Sequence, residues 1–106
     1  MAQVIWSDRA ARQLEAHIDY ALMEFGRKAV NNWYKDIKRI EARLALQPQS
    51  YTIEQLLAER DKVYRGATLM KNFKLIHYYD ETAEVVYIDA IWDMRMHPSK
   101  LSRLVE

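Results

Sequence analysis

Two neighbouring stretches decide the fold of this chain, and they read Phe73-Lys74-Leu75-Ile76-His77-Tyr78-Tyr79 and Val85-Val86-Tyr87-Ile88-Asp89-Ala90-Ile91-Trp92. Both are rich in aromatic and branched residues, which favour strands. The acidic link Asp80–Glu84 between them is short enough for a hairpin. The pattern therefore predicts an antiparallel sheet, whose last strand delivers Arg95 and His97 to one edge.

The segment before this hairpin predicts a further strand of the sheet, and the segment after it predicts where the sheet ends. The segment 62–69 alternates imperfectly and predicts a preceding strand, in which Gly66 marks a bulge or a close approach of the backbone. Beyond Pro98, residues 99–105 predict a short helix or a frayed tail. The C-terminal half is thus a three-stranded meander.

The N-terminal half has the apolar spacing of two helices. Residues 2–6 are a short apolar strand, and Ser7 is suited to cap the helix that follows. Apolar residues recur at helical spacing in two stripes, the first ending at Gly26 and the second at Pro48. The first stripe is Ala11, Leu14, Ile18, Leu22 and Phe25, and the second is Val30, Trp33, Ile37, Ile40 and Leu44. Packing of both stripes into one core is favoured over a groove for a partner helix.

These elements predict one α+β domain that spans residues 1–106. It starts with a strand and an antiparallel two-helix hairpin, on one face of which the meander packs. The short C-terminal helix or tail follows, and the other face of the sheet is expected to be open.

Composition excludes several classes of function. The chain has no cysteine and three scattered histidines, so thiol chemistry is excluded and no metal site or cofactor is expected. Charged residues interrupt residues 2–16, and no apolar run approaches the ~18 residues of a membrane span. We expect a cytoplasmic protein without membrane contact, and the net charge of +1 implies no nucleic-acid partner by itself.

Three cations and a histidine are the candidates for chemistry. Alternation places Lys74 and Tyr78 on the open face of the middle strand. If Arg65 and Arg95 join them, the patch suits a phosphate backbone with stacked bases, although lone lysines on strands are usually solvated. His97, after the last strand, has the intrinsic pKa of a general acid or base, but loop histidines are more often surface residues.

The same alternation predicts which residues of the last strand face the core. The patterns of their own elements predict where the other two histidines lie. On the last strand, the set assigned to the core is Val86, Ile88, Ala90 and Trp92. His17 is assigned to the polar side of the first helix, and His77 alternates with core residues. Both histidines are therefore expected to be structural.

Four segments together resemble the RelE/ParE superfamily of toxins from bacterial type II toxin–antitoxin modules. They are the opening 4–10, the helical hairpin ending at Leu46-Gln47-Pro48, the middle strand 72–78, and the exit Ile91-Trp92-Asp93-Met94-Arg95-Met96-His97-Pro98. The resemblance extends over essentially the whole length, and the order and spacing of the four segments carry it.

For RelE-like members the resemblance implies a ribosome-dependent mRNA endoribonuclease. Lys74 then takes the place of the middle-strand arginine, Arg95 that of the arginine past the last strand, and Arg65 is a third cation. Where some relatives have a terminal tyrosine this chain has Leu101, so His97 would have to substitute. Lysine at position 74 also lacks the bidentate fork of arginine.

ParE-like members resemble the chain better, through the long helical hairpin and the Arg-x-x-Pro exit. They imply poisoning of DNA gyrase, with Arg65, Lys74, Tyr78 and Arg95 as target-binding candidates. Either mechanism implies a cognate antitoxin, expected to dock on the helical hairpin and on the edge near Arg65 and Leu69. The third alternative is an inactive relative kept as a binding module.

Overall fold

The structure, a computed structural model, describes residues 1–105. Its elements are β1 (Gln3–Trp6), α1 (Asp8–Phe25), α2 (Arg27–Leu46), β2 (Arg65–Leu69), β3 (Phe73–Asp80), β4 (Val85–Asp93) and α3 (Ser99–Leu104). A single 3₁₀ turn, Gln55–Leu57, precedes β2. The predicted order of strand, two helices, three strands and a short helix is confirmed, and the predicted first strand of the meander is shorter than expected.

Local chemistry fixes the helical hairpin. The Ser7 hydroxyl accepts a hydrogen bond from the backbone N–H of Ala10 at 3.0 Å and so caps α1 as predicted. Gly26 alone separates the two helices and has φ of 86°, a left-handed conformation that glycine adopts without a Cβ clash. The chain can therefore reverse within one residue.

All four strands form one sheet in the order β1-β4-β3-β2. β1 pairs in parallel with β4, whereas β2, β3 and β4 are antiparallel neighbours. Both helices cover one face, where the main core contains residues from both helices and the strands, among them Ile37, Ile40, Leu44, Leu75, Val86 and Ile88. On α1 the predicted stripe is only partly correct, because Ala10 and Ala21 are buried while Leu22 and Phe25 are exposed.

A β-bulge in β4 changes which residues face the helices. Ile76 pairs with Ala90 and the next residue, His77, pairs with Ile88, so Asp89 is an extra residue. Ile91 therefore packs into the helix-side core, whereas Ala90 packs on the opposite face. All four residues of the predicted core set, Val86, Ile88, Ala90 and Trp92, are buried, but the last two lie on the opposite face of the sheet from the first two, since strict alternation assumes an uninterrupted ladder.

Two side chains, one just before α1 and one within it, form hydrogen bonds with the backbone at the bulge. The Ser7 hydroxyl donates to the carbonyl of Asp89 at 2.9 Å, and the Gln13 side-chain carbonyl accepts from the N–H of Ile91 at 2.7 Å. Polar groups that the bulge removes from the ladder thus find partners on and before α1.

The second face of the sheet is not open as expected. A smaller core covers part of it, formed by Leu57, Tyr64, Ile76, Ala90, Trp92, Leu101 and Val105. Arg9 donates to the carbonyl of Leu104, and Arg60 donates to the carbonyl of Ser102 at 2.7 Å. The predicted C-terminal helix is therefore a cover over the sheet and not a frayed tail.

Candidate functional site

The three predicted cations do not converge, because they lie on different faces of the sheet. Residues directly opposite each other in an antiparallel pair share a face. Arg65 pairs with His77 on the helix side, whereas Lys74 pairs with Thr68 on the other side. Arg95 follows β4 and lies against Phe73, again on the helix side. The predicted concavity of three cations is therefore wrong.

Lys74 is held by a carboxylate that the sequence did not identify as its partner. Its Nζ lies 2.8 Å from Oε2 of Glu54, whose side chain is only 7% exposed. A Cβ at Gly66 would lie 3.0 Å from Cδ of Lys74, so the missing side chain at this position leaves room for the lysine stem. The charge of Lys74 is thus matched within the chain.

Tyr78 belongs to an aromatic cluster on the same face as Lys74. Its ring stacks on Tyr87 with centroids 5.3 Å apart and meets Tyr64 edge to face at 5.5 Å. Nζ of Lys62 lies 4.4 Å from the Tyr78 ring centroid. Burial raises the pKa of Tyr64. The ring of Tyr78 is half-buried, and the cluster already supplies it with aromatic and cationic neighbours.

Arg65 has a structural environment. It is half-buried, and its Nη1 donates to the carbonyl of Tyr51 at 2.8 Å. The neighbouring His77 is fully buried, with Nδ1 3.0 Å from the carbonyl of Leu75. Burial lowers the pKa of His77 to about 4, so the ring is neutral near pH 7. The expectation that His77 is structural agrees with this burial.

His97 lies at the start of α3. It is exposed, and its Nδ1 accepts from the N–H of Ser99 at 3.1 Å and lies 2.9 Å from the Ser99 hydroxyl. Its ring thus binds the first turn of the helix and not a cation of the sheet. General acid–base work needs hydrogen-bond reach to the reacting group, together with a cation near the same phosphate. His97 makes its hydrogen bonds with Ser99, whereas Lys74 pairs with Glu54.

Arg95 is the most exposed of the predicted cations. Its Nε and Nη2 each lie 3.0 Å from an oxygen of Asp93, in the bidentate geometry of a guanidinium and a carboxylate. These hydrogen bonds lower the pKa of Asp93. The guanidinium carbon lies 5.5 Å from the ring centroid of Phe73. Arg95 is therefore oriented by its neighbours but still reaches solvent.

Beside Arg95 is a cavity of about 450 Å³, which we call the hairpin pocket. It lies between the end of α1, the start of α2 and the turn from β2 to β3. Its lining is mostly aromatic or aliphatic, with two cations: His17, Tyr20, Ala21, Phe25, Ala29, Trp33, Met70, Lys71, Asn72, Phe73 and Arg95. At its rim Phe25 is 71% exposed.

Sequence reasoning missed this pocket because it misplaced His17. The ring of His17 stacks on Trp33 with centroids 5.5 Å apart and lies 4.7 Å from Phe73, instead of facing solvent. Burial is the main cause of its lowered pKa. The available signal was the helical spacing of His17 from Gln13 and Ala21, which are partly and fully buried.

Two further properties concern metal binding and membrane insertion. Within residues 1–105, no group of three His, Asp or Glu side chains is arranged to hold a metal ion. Over the same residues, the helices are too short or too polar to cross a membrane.

Comparisons with known proteins agree with this fold. The family model described as ParE toxin of type II toxin–antitoxin system, parDE, matches residues 4–98. A solved structure described as the chromosomal ParDE TA system from P. aeruginosa superposes with a TM-score of 0.66. It is 20% identical over 88% of this chain and 96% of that chain, a level that shows the shared fold. Among curated proteins no match was found.

Proposed function

This chain belongs to the ParE toxin family of type II toxin–antitoxin systems, and we propose that it arrests growth by binding a protein target, with DNA gyrase as the candidate. In this proposal residues 1–106 act as one domain in the cytoplasm, where the cognate antitoxin restrains them. The toxin carries out no chemical step of its own.

The observation that carries the proposal is the pairing of Lys74 with Glu54. A nuclease of the RelE type needs cations on the sheet to neutralise the phosphates of the message, and a carboxylate 2.8 Å from Nζ already neutralises this lysine. Glu54 would also repel an approaching phosphate. The separation of Arg65 and Lys74 onto opposite faces supports the same conclusion.

Of the four target-binding candidates, we propose Arg95 as the direct contact. Arginines and aromatic residues dominate the binding energy of protein interfaces. Arg95 is exposed and lies beside the exposed aromatic rim of the hairpin pocket, whereas Arg65, Lys74 and Tyr78 are partly buried and bound to their neighbours. These three residues then support the sheet and do not touch the target.

The test compares purified wild-type protein with Arg95→Ala in a supercoiling reaction of DNA gyrase on relaxed plasmid. We expect wild type to inhibit supercoiling and Arg95→Ala to lose at least about tenfold in potency. Arg12→Ala, an exposed arginine in α1, is the matched control and should inhibit like wild type.

Growth and messenger RNA are followed in parallel in cells that express the toxin without antitoxin. Growth arrest with intact messages and inhibited gyrase supports the proposal. New 5' ends within codons, detected by primer extension and lost in Lys74→Ala, would overturn it in favour of a RelE-like endoribonuclease. Absence of growth arrest would leave an inactive relative that acts as a binding module.

A further inference from the structure

We propose that the hairpin pocket receives an aromatic side chain of the cognate antitoxin, and that a neighbouring acidic residue of the same antitoxin segment binds Arg95. The pocket would then be an anchor site for one aromatic–acidic pair. Its shape, its exposed rim and its charge each support this occupant.

The interior of the pocket suits an apolar side chain. Trp33 and Ala21 are buried in its wall, and the ring centroids of Trp33 and Phe73 are 5.0 Å apart. Aromatic rings entering such a site gain both buried area and edge-to-face contacts. A volume of about 450 Å³ lies within the range of sites that bind a compact group.

The rim suits a protein segment better than an isolated small molecule. Phe25 projects into solvent at the end of α1, and the exposed ring of Tyr20 lies 6.4 Å from it between centroids. Aromatic residues are enriched at protein interfaces, where neighbouring side chains exclude water from a central anchor. A segment that fills the pocket would cover both side chains as well.

The positive charge around the pocket favours an acidic residue next to the aromatic side chain of the antitoxin. Lys71 and Arg95 are the two cations in the lining, and α2 begins with Arg27 and Lys28 and has no acidic residue in its first turn. The positive end of the α2 dipole adds to this local field. Asp93 is bound to Arg95, and Asp36 is bound to Arg39 and to the N–H of Met70, so the rim attracts an acidic partner.

Arg95 has donors for a second carboxylate. Asp93 accepts from Nε and Nη2, which leaves both hydrogens of Nη1 and one of Nη2 outside that pair. The Phe73 ring lies under the guanidinium and restricts its orientation. An antitoxin carboxylate can therefore bind Arg95 without first displacing Asp93.

The pocket is held open before the partner arrives. The N–H of Met70, in the turn between β2 and β3, donates to Oδ2 of Asp36 at 2.6 Å. The carbonyl of Asn72 accepts from the N–H of Met94 at 2.8 Å. Because both neighbours fix this turn, little ordering accompanies binding, which favours affinity.

One consequence rests on the proposed function. Since the same Arg95 is proposed to contact the target, an antitoxin segment seated on it would exclude the target from this surface. Antitoxin and target then compete for a single guanidinium.

The experiment measures antitoxin binding alone, so that it does not depend on the target. The antitoxin encoded beside the toxin is titrated by calorimetry against wild-type toxin, Ala29→Phe, which fills the pocket, and Arg95→Glu, which reverses its charge. The matched controls are Ala42→Phe, at an exposed position of the same helix, and Arg12→Glu. Thermal unfolding verifies that each variant is folded.

We expect Ala29→Phe and Arg95→Glu each to weaken binding at least about tenfold, and the controls to stay within about twofold of wild type. Wild-type affinity in both pocket variants would overturn the anchor site. Should Ala29→Phe fail to fold, Phe25→Ala at the exposed rim replaces it, with the same expected direction.

A charge exchange tests the acidic residue directly. Each Asp or Glu of the antitoxin that lies within two positions of an aromatic residue is changed in turn to Lys and titrated against Arg95→Glu. One of these changes should restore binding at least about fivefold, because it re-forms an opposite-charge pair. If none restores binding, the pairing with Arg95 is wrong. Failure of gyrase inhibition would leave these binding results unchanged.

Discussion

Nζ of Lys74 lies 2.8 Å from Oε2 of Glu54, and the two side chains are 29% and 7% exposed. They come from different parts of the chain, the loop before the 3₁₀ turn and strand β3. The pair therefore ties the segment that follows the helical hairpin to the centre of the sheet. It also explains why a lysine can occupy a largely covered position on the second face.

Removal of Lys74 should destabilise the fold. Lys74→Met leaves the Glu54 carboxylate buried without its cation, and we expect the free energy of unfolding to fall by about 1–3 kcal/mol. Urea denaturation measures this, with Lys35→Met at an exposed position of α2 as the control. The double change Lys74→Met with Glu54→Leu should recover most of the loss. A single variant as stable as wild type would show that the pair contributes nothing.

Protonation of His77 should make the fold sensitive to mild acid. Burial lowers the pKa of His77 to about 4 from 6.5, so between these values the unfolded chain binds more protons than the folded one. Stability contributed by the neutral ring is therefore complete above pH 6.5 and is lost as the pH falls toward 4, by about 3 kcal/mol in total.

The variant His77→Gln isolates this effect, since glutamine does not titrate. Chemical denaturation at several pH values between 7 and 4 should give a flatter dependence for His77→Gln than for wild type. The difference between the two curves removes the contributions of His17 and the carboxylates. Parallel curves would contradict a buried, neutral His77.

Asp36 should stabilise the turn between β2 and β3. Its Oδ2 accepts from the N–H of Met70, a residue with φ of 59°, while Oδ1 pairs with the exposed Arg39. We expect Asp36→Ala to lower the free energy of unfolding by about 1–3 kcal/mol, because the Met70 N–H loses its acceptor.

The matched variant Asp36→Asn keeps an acceptor oxygen and should lose clearly less stability than Asp36→Ala, as judged by thermal unfolding. The ion pair with Arg39 lies at the surface and contributes little in either variant. Equal losses of stability in the two variants would show that the charge of Asp36, and not its hydrogen bond to the Met70 N–H, stabilises the fold.

Glycine at position 84 should stabilise the hairpin between β3 and β4. Glu84 is exposed and has φ of 55°, a left-handed conformation that strains an L side chain. We expect Glu84→Gly to gain about 0.5–1 kcal/mol after the entropy of glycine in the unfolded chain is offset. Ala83→Gly, at a neighbouring position without positive φ, is the control and should lower the melting temperature. The opposite order of the two melting temperatures would refute this expectation.

Local signals predicted most of the fold. The cap at Ser7, the break at Gly26 and the spacing of Trp33, Ile37, Ile40 and Leu44 are properties of neighbouring residues, and the structure confirms them. The resemblance to the RelE/ParE superfamily is confirmed by the family match over residues 4–98.

The candidate site was harder to predict because its residues meet through long-range contacts. Glu54 reaches Lys74 only after the loop beyond α2 folds along β2. The spacing of apolar residues does not predict how such a loop folds. His17 was misassigned because neutral histidine can pack against aromatic rings as well as face water. The roles of Arg65, Lys74, Tyr78, Arg95 and His97 in function stay predictions.

The extra residue at Asp89 has a consequence for the position of Arg95. A strand transmits the orientation of its side chains in steps of two, so one inserted residue inverts every orientation after it. Asp93 and Arg95 therefore leave β4 toward the helices and the aromatic rings there, and Trp92 turns toward α3. The side of the molecule on which this toxin presents its exposed arginine is thus encoded six residues upstream, at a position that touches neither partner nor target in either proposal.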